Sequence, residues 1–278
     1  MANLRPAHAW NADGVHLATL SNRERLSYRV ALKSSYREDN MGKKVLLGLL
    51  FFTLLALPPS GLSAYEGETV NNGGTIFGVV KFKGAAPPPK KLQITKDKEV
   101  CGKNPKSDPS LIVSGGNVVN AVAYITDIKK GEKMEPQKAT LDQRGCEYHP
   151  HVLAFPAGSS VEVLNSDGIL HNIHSYSQKN TPFNMAQPKF RKTLSVKIDR
   201  PEIVNVKCDV HDWMNGWLFA AENPYYSITG NTGTFRLTNV PPGTYTLEVW
   251  HETLGKQTKK VTVKPKEEVK VTFELAKK

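Results

Sequence analysis

An HExxH histidine pair is missing from this sequence, and with it any support for zinc hydrolase chemistry. Basic runs interleaved with stacking aromatics are missing too, so nucleic acid is not an expected partner. The lysines are scattered instead, which suits a solvated surface that favours acidic partners at low salt. No apolar run is long enough for a membrane helix. The main candidate, Val45–Leu57, holds about 13 residues against the ~20 needed. From Tyr65 onward no segment sustains a helical hydrophobic period. Cysteine is scarce, with only Cys101, Cys146 and Cys208 in the whole chain.

The short apolar stretch organises the N-terminal part. Met41–Lys44 forms a basic n-region, Val45–Leu57 follows, and Leu62–Ala64 offers small residues for cleavage before Tyr65. This is the pattern of a secretory signal peptide. An uncleaved anchor is the competing reading, disfavoured by the length of the stretch. The cleavage site has no cysteine, so lipoprotein anchoring finds no support. Residues 1–40 are polar and aperiodic and precede a complete signal with its own Met; they are expected to be a misassigned or disordered extension, with 41–64 the signal peptide. The exported part, periplasmic or extracellular and not membrane-embedded after cleavage, has about 214 residues, enough for one large or two small domains. Of 37 Lys and Arg and 26 Asp and Glu, 8 and 4 precede Tyr65, so 29 against 22 remain, a net charge of roughly +7. In an exported chain an odd cysteine count leaves one thiol free or metal-bound. Cys208 has metal-ligand company, so the economical arrangement pairs Cys101 with Cys146 as a disulfide. Two separate buried thiols are the alternative.

Short β-branched or alternating runs recur at 75–83, 117–125, 151–155, 160–164, 194–198 and 202–207, and again at 216–220, 233–237, 243–250, 259–263 and 268–275. Such spacing predicts an all-β sandwich or barrel. Residues 90–109 read as a long connection tied down by Cys101, and 179–192 as a loop or short helix covering the sheet. The pattern resets near Glu222–Pro224, which divides the exported part into 65–222 and 223–278. The second piece holds about four or five strands, a half-sandwich that needs docking onto its neighbour.

The loop Cys208–Met214 carries a thiolate, an imidazole (His211) and a thioether. Each alone reads as ordinary packing. Together they match the donors of a copper site, and a His2Cys set with a weak axial Met is an electron-transfer geometry. Zinc also accepts Cys and His, but a thioether favours copper. A second imidazole is available upstream in His171 or His174. His149 and His151 alternate on a strand-like segment and suggest a further metal site less strongly than ordinary histidines of intermediate burial.

Here the sequence resembles the cupredoxins, the plastocyanin and azurin superfamily. A strand ending in Asn165 precedes His171-Asn172, and Cys208, His211 and Met214 follow on one loop. The likeness covers roughly residues 74–222. It implies a Greek-key β-sandwich with His171 and His211 as imidazole ligands, Cys208 as thiolate and Met214 as axial thioether. Asn172 is then the residue that ties the two ligand segments together. His174 is the alternative ligand; on an extended strand it faces away from His171, so both do not ordinarily reach one ion. Trp213 beside His211 is expected in an apolar docking patch around an exposed ligand edge.

The segment from Gly233-Thr234-Phe235 through Val240-Pro241-Pro242-Gly243-Thr244-Tyr245 to Trp250 looks like the carboxypeptidase regulatory-like family, over about 223–276. That likeness implies a small transthyretin-like accessory sandwich. The expectation is an exported mononuclear copper protein, not an enzyme, exchanging single electrons with a redox protein partner. A periplasmic copper carrier or storage protein, and a metal-free carbohydrate- or protein-binding module, are the rival readings.

Overall fold

The structure, a computed structural model, describes residues 65–277; the expected extension and signal peptide lie outside the described residues. Strict alternation of buried and solvent-facing side chains builds the strands, as in Ser160–Asn165, where Val161, Val163 and Asn165 face inward. Among the described residues the one α-helix is the four-residue Lys98–Cys101. None of their helices is long and apolar enough to cross a membrane. The described residues form an all-β fold whose strands pack as two sandwiches.

The first sandwich surrounds a core of Leu141, Phe155, Val161, Val163, Ile173, Val204, Val206 and Leu218. One sheet runs in the order Thr193–Lys197, Ser160–Asn165, Lys138–Gln143, Tyr148–His149. The other runs Asn184–Gln187, His171–Tyr176, Glu202–Lys207, Asn215–Ala221, Val152–Pro156. Each sheet contains a parallel pair, Ser160–Asn165 with Lys138–Gln143 and Asn215–Ala221 with Val152–Pro156. Parallel neighbours require the chain to cross between sheets, as in a Greek-key sandwich. The 179–192 segment is neither helix nor plain loop. Its strand Asn184–Gln187 pairs antiparallel with His171–His174.

The second sandwich differs from the division expected at residue 222. Its sheets hold Thr234–Val240, Glu268–Leu275, Gly243–His251 and Gly255–Val263, but also Gly74–Phe82 and Val122–Ile125 from far upstream. The physical reason is the unfinished core of the C-terminal half. Phe235, Leu237, Val271 and Phe273 need cover, and Ile76, Val80, Ala123 and Ile125 provide it. Gly78 lets this central strand in. A Cβ there would stand 1.8 Å from the Val271 carbonyl oxygen and 2.7 Å from the Phe235 ring. The first sandwich, residues 138–221, is therefore inserted between strands of the second.

Val122, Val152, Phe219, Ala221 and Trp250 form an apolar seam between the two sandwiches. Polar contacts accompany it: the Glu252 carboxylate accepts hydrogen bonds from Trp217 Nε1 at 2.9 Å and Asn215 Nδ2 at 3.2 Å, and meets His151 Nε2. His151 is buried and His149 exposed, so the two do not share a face as their spacing suggested. The chain turns at Pro150 and leaves one sheet for the other.

Candidate metal centre

Three elements of the first sandwich converge at one end of its core. His171 opens the strand His171–Tyr176. Cys208 follows Glu202–Lys207 directly, and His211 and Met214 lie on the turn leading to Asn215–Ala221. Backbone hydrogen bonds close that turn, from Met214 N to His211 O at 2.9 Å and from Cys208 N to Met214 O at 3.2 Å. The antiparallel pairing of its flanking strands fixes where the loop begins and ends.

His171 Nδ1 and His211 Nδ1 face each other at 3.0 Å, and Cys208 Sγ lies 3.9 and 3.8 Å from them. A triangle with these sides has a centre ~2.1 Å from each atom, within the roughly 2.0–2.3 Å of metal–nitrogen and metal–sulfur bonds. The donor set thus fits a metal ion. Both histidines are fully buried, and Cys208 and Met214 nearly so. Each imidazole is held from behind by a carboxylate: His171 Nε2 by Asp167 at 2.9 Å and His211 Nε2 by Asp97 at 2.8 Å. Such partners fix the tautomer and ring orientation of a ligating histidine and raise its basicity. Asp167 is anchored in turn by the backbone N–H groups of Gly145 and Cys146.

The electrostatics favour a thiolate–imidazolium pair, from which a metal ion must displace the His171 proton to bind. Burial pushes the Cys208 thiol up, but hydrogen bonds from His171, His211 and the neighbouring backbone bring its pKa down to about 6. Burial works downward on His171, and Asp167 and Cys208 outweigh it, raising the imidazole to about 9. A thiolate, the ligating form, is therefore available at neutral pH.

Asn172 joins the ligand segments, its Oδ1 accepting from Asp209 N at 2.6 Å and its Nδ2 donating to Asp209 Oδ2 at 3.1 Å. His174 is not among the converging donors. It sits on the outer side of its strand, meets Asp209 at 3.1 Å and stacks on Tyr176 at 4.5 Å between centroids. Cys101 and Cys146 form the expected disulfide, with Cα atoms 5.2 Å apart and sulfurs within 4.8 Å of a His211 ring nitrogen. The exposed ligand edge expected beside Trp213 is absent. Asp97, at the start of the helix that Cys101 pins down, covers His211, and the Trp213 indole N–H donates to Cys146 O at 3.1 Å. Sequence reasoning missed both carboxylates. Asp167 stood four residues before His171, a legible spacing, whereas Asp97 lies 114 residues from His211 with no local signal.

Residues 220–276 match the family model of the carboxypeptidase regulatory-like domain. A sequence comparison with curated proteins gives no match. Among solved structures, similarity is found to a Cu-containing nitrite reductase from Thermus scotoductus (20% identity, TM-score 0.30, covering 42% of this chain and 27% of that one). A purple cupredoxin from Nitrosopumilus maritimus is similar over 30% of this chain and 99% of its own, at 20% identity and TM-score 0.27. Amicyanin from Paracoccus versutus is similar over 36% and 97%, at 14% identity and TM-score 0.28. This chain thus spans about a quarter of the nitrite reductase.

Proposed function

We propose that the protein is an exported mononuclear copper protein that exchanges single electrons with a redox protein partner and carries out no bond-making reaction of its own. The observation that carries this reading is the convergence of His171 Nδ1, His211 Nδ1 and Cys208 Sγ around one buried point. Copper held by such donors supplies a one-electron Cu(I)/Cu(II) couple. The chain's own part is to hold and enclose. Asp97 and Asp167 keep both rings turned so that Nδ1 faces inward, and Asn172 keeps the two ligand segments in register. Met214, buried on the same loop, would supply the thioether donor. Full burial of both imidazoles favours retention of the ion over hand-over to another protein, which separates this reading from that of a carrier. The Cys101–Cys146 disulfide suits an oxidising compartment outside the cytoplasm.

Protein loaded with Cu(II) should show intense thiolate-to-copper absorption in the visible, with a matching paramagnetic-resonance signal, and Cys208→Ser should abolish the band. A loaded protein without that absorption overturns the proposal.

A further inference from the structure

His211 lies under Asp97 and His171 is backed by Asp167, so neither imidazole edge is open and a partner meets the site through the polypeptide beside a ligand. Two large apolar side chains are exposed on the His171 side: Leu170, directly before the ligand, at 47%, and Phe190 at 86%. Strand pairing brings their segments to one edge. His171 stands opposite Gln187, so the chain before His171 runs alongside Pro188 and the turn bearing Phe190. That turn is fixed, since Arg191 N donates to Pro188 O and Asn165 N to Lys192 O, both at 2.8 Å. Asn165 Nδ2 also reaches Ile169 O at 2.8 Å and Gln187 O at 3.0 Å, clamping the two segments together. Phe190 is thus presented to water by an ordered support, at no benefit to the core. Lys189, Arg191 and Lys192 are exposed around it. The one acid in these segments, Asp167, is turned inward onto His171.

We propose that Leu170 and Phe190, rimmed by Lys189, Arg191 and Lys192, form the docking surface for an acidic electron-transfer protein. This rests on the electron-transfer reading and gives it a place. The cationic rim steers an acidic partner and speeds its association, while the apolar centre excludes water at the peptide leading to His171. With copper held by His171, His211 and Cys208, the encounter would pass one electron from the reduced partner to the ion, with no bond made or broken and no proton moved.

The test mixes Cu(II)-loaded protein with a reduced plant-type [2Fe–2S] ferredoxin as the acidic probe, at about 10 mM and about 300 mM salt, and follows bleaching of the visible band. Reversing Lys189, Arg191 and Lys192 to Glu should slow the low-salt rate at least ~10-fold, with the difference shrinking at high salt. Phe190→Ala should slow it several-fold at both salts, and Lys259→Glu/Lys260→Glu on the second sandwich should leave it within ~2-fold. As a readout independent of the metal, titrating the metal-free protein with oxidised ferredoxin should shift the amide resonances of residues 168–170 and 188–192. Unchanged rates in the charge-reversed protein, or shifts centred elsewhere, overturn the docking surface while the visible band remains. Loss of the band in the parent protein overturns the electron-transfer reading itself.

Discussion

Asn172 shows how much one side chain carries. Three hydrogen bonds tie it to Asp209 and Asn184, so Asn172→Ala should cost about 1–3 kcal/mol of stability in denaturant titrations and broaden the visible band. Met214→Leu is close to volume-conserving at a buried site and should cost less than ~1.5 kcal/mol. Its visible spectrum should nevertheless shift, and an unchanged spectrum removes Met214 from the ligand set. His251 makes a pH prediction. Burial lowers its pKa from 6.5 to about 4 in the folded protein. Below pH 6.5 the unfolded chain therefore takes up a proton that the folded chain refuses. The neutral ring's contribution is complete above pH 6.5 and declines as the pH falls to about 4, by about 3 kcal/mol. His251→Asn keeps an acceptor for the Thr253 and Leu254 amides without titrating, and should flatten that slope in metal-free protein unfolded at pH 4.5, 5.5 and 7. At this scale the donor types were legible because Cys, His and Met on one loop are chemically unusual. Asp97 was not, because a carboxylate in a Lys- and Pro-rich connection looks like any other until the fold brings it to His211.

Elements were legible where alternation met a clear break. Glu202–Lys207 and Glu268–Leu275 were read to the residue. The run 117–125 concealed two strands, because Asn120 adopts a left-handed backbone (φ 62°) that Asn tolerates without announcing it. Asn184–Gln187 escaped because its two apolar residues, Met185 and Ala186, are adjacent and show no alternation, and this short edge strand is held by backbone bonds to its neighbour. The disulfide was legible by counting, but its role as the tether of the segment over His211 was not. It closes a loop with a sequence separation of 45, a constraint of ~4 kcal/mol in the chain-entropy picture. Cys101→Ala/Cys146→Ala should lower stability by up to that amount, and a chelator should strip copper faster from it because Asp97 loses its support. Equal extraction rates would show that the tether does not guard the ion.

At the scale of the molecule, residues 223–278 were read as a half-sandwich needing docking onto its neighbour, but the upstream strands that complete it were hidden. Alternation tells a strand which face is buried and says nothing of which distant strand lies beside it. Gly74–Phe82 and Val122–Ile125 fill that place, so a fragment of residues 223–278 should show neither a sheet-type circular dichroism spectrum nor dispersed amide resonances; a cooperative unfolding transition in that fragment would contradict the two-core description. Gly78→Ala, forced against the Val271 carbonyl, should be among the most damaging single substitutions outside the metal centre. The same pairing has a mechanical consequence. Gly74–Phe82 and Glu268–Leu275 run parallel through eight paired positions, from Thr75–Glu268 to Phe82–Leu275. Tension applied to the two ends of the described chain therefore pulls these strands past each other in shear, loading all the rungs at once instead of unzipping them singly. Stretched between its ends, the protein should yield abruptly at one high force, and the inserted sandwich with its metal centre should feel no load until that clamp has given way.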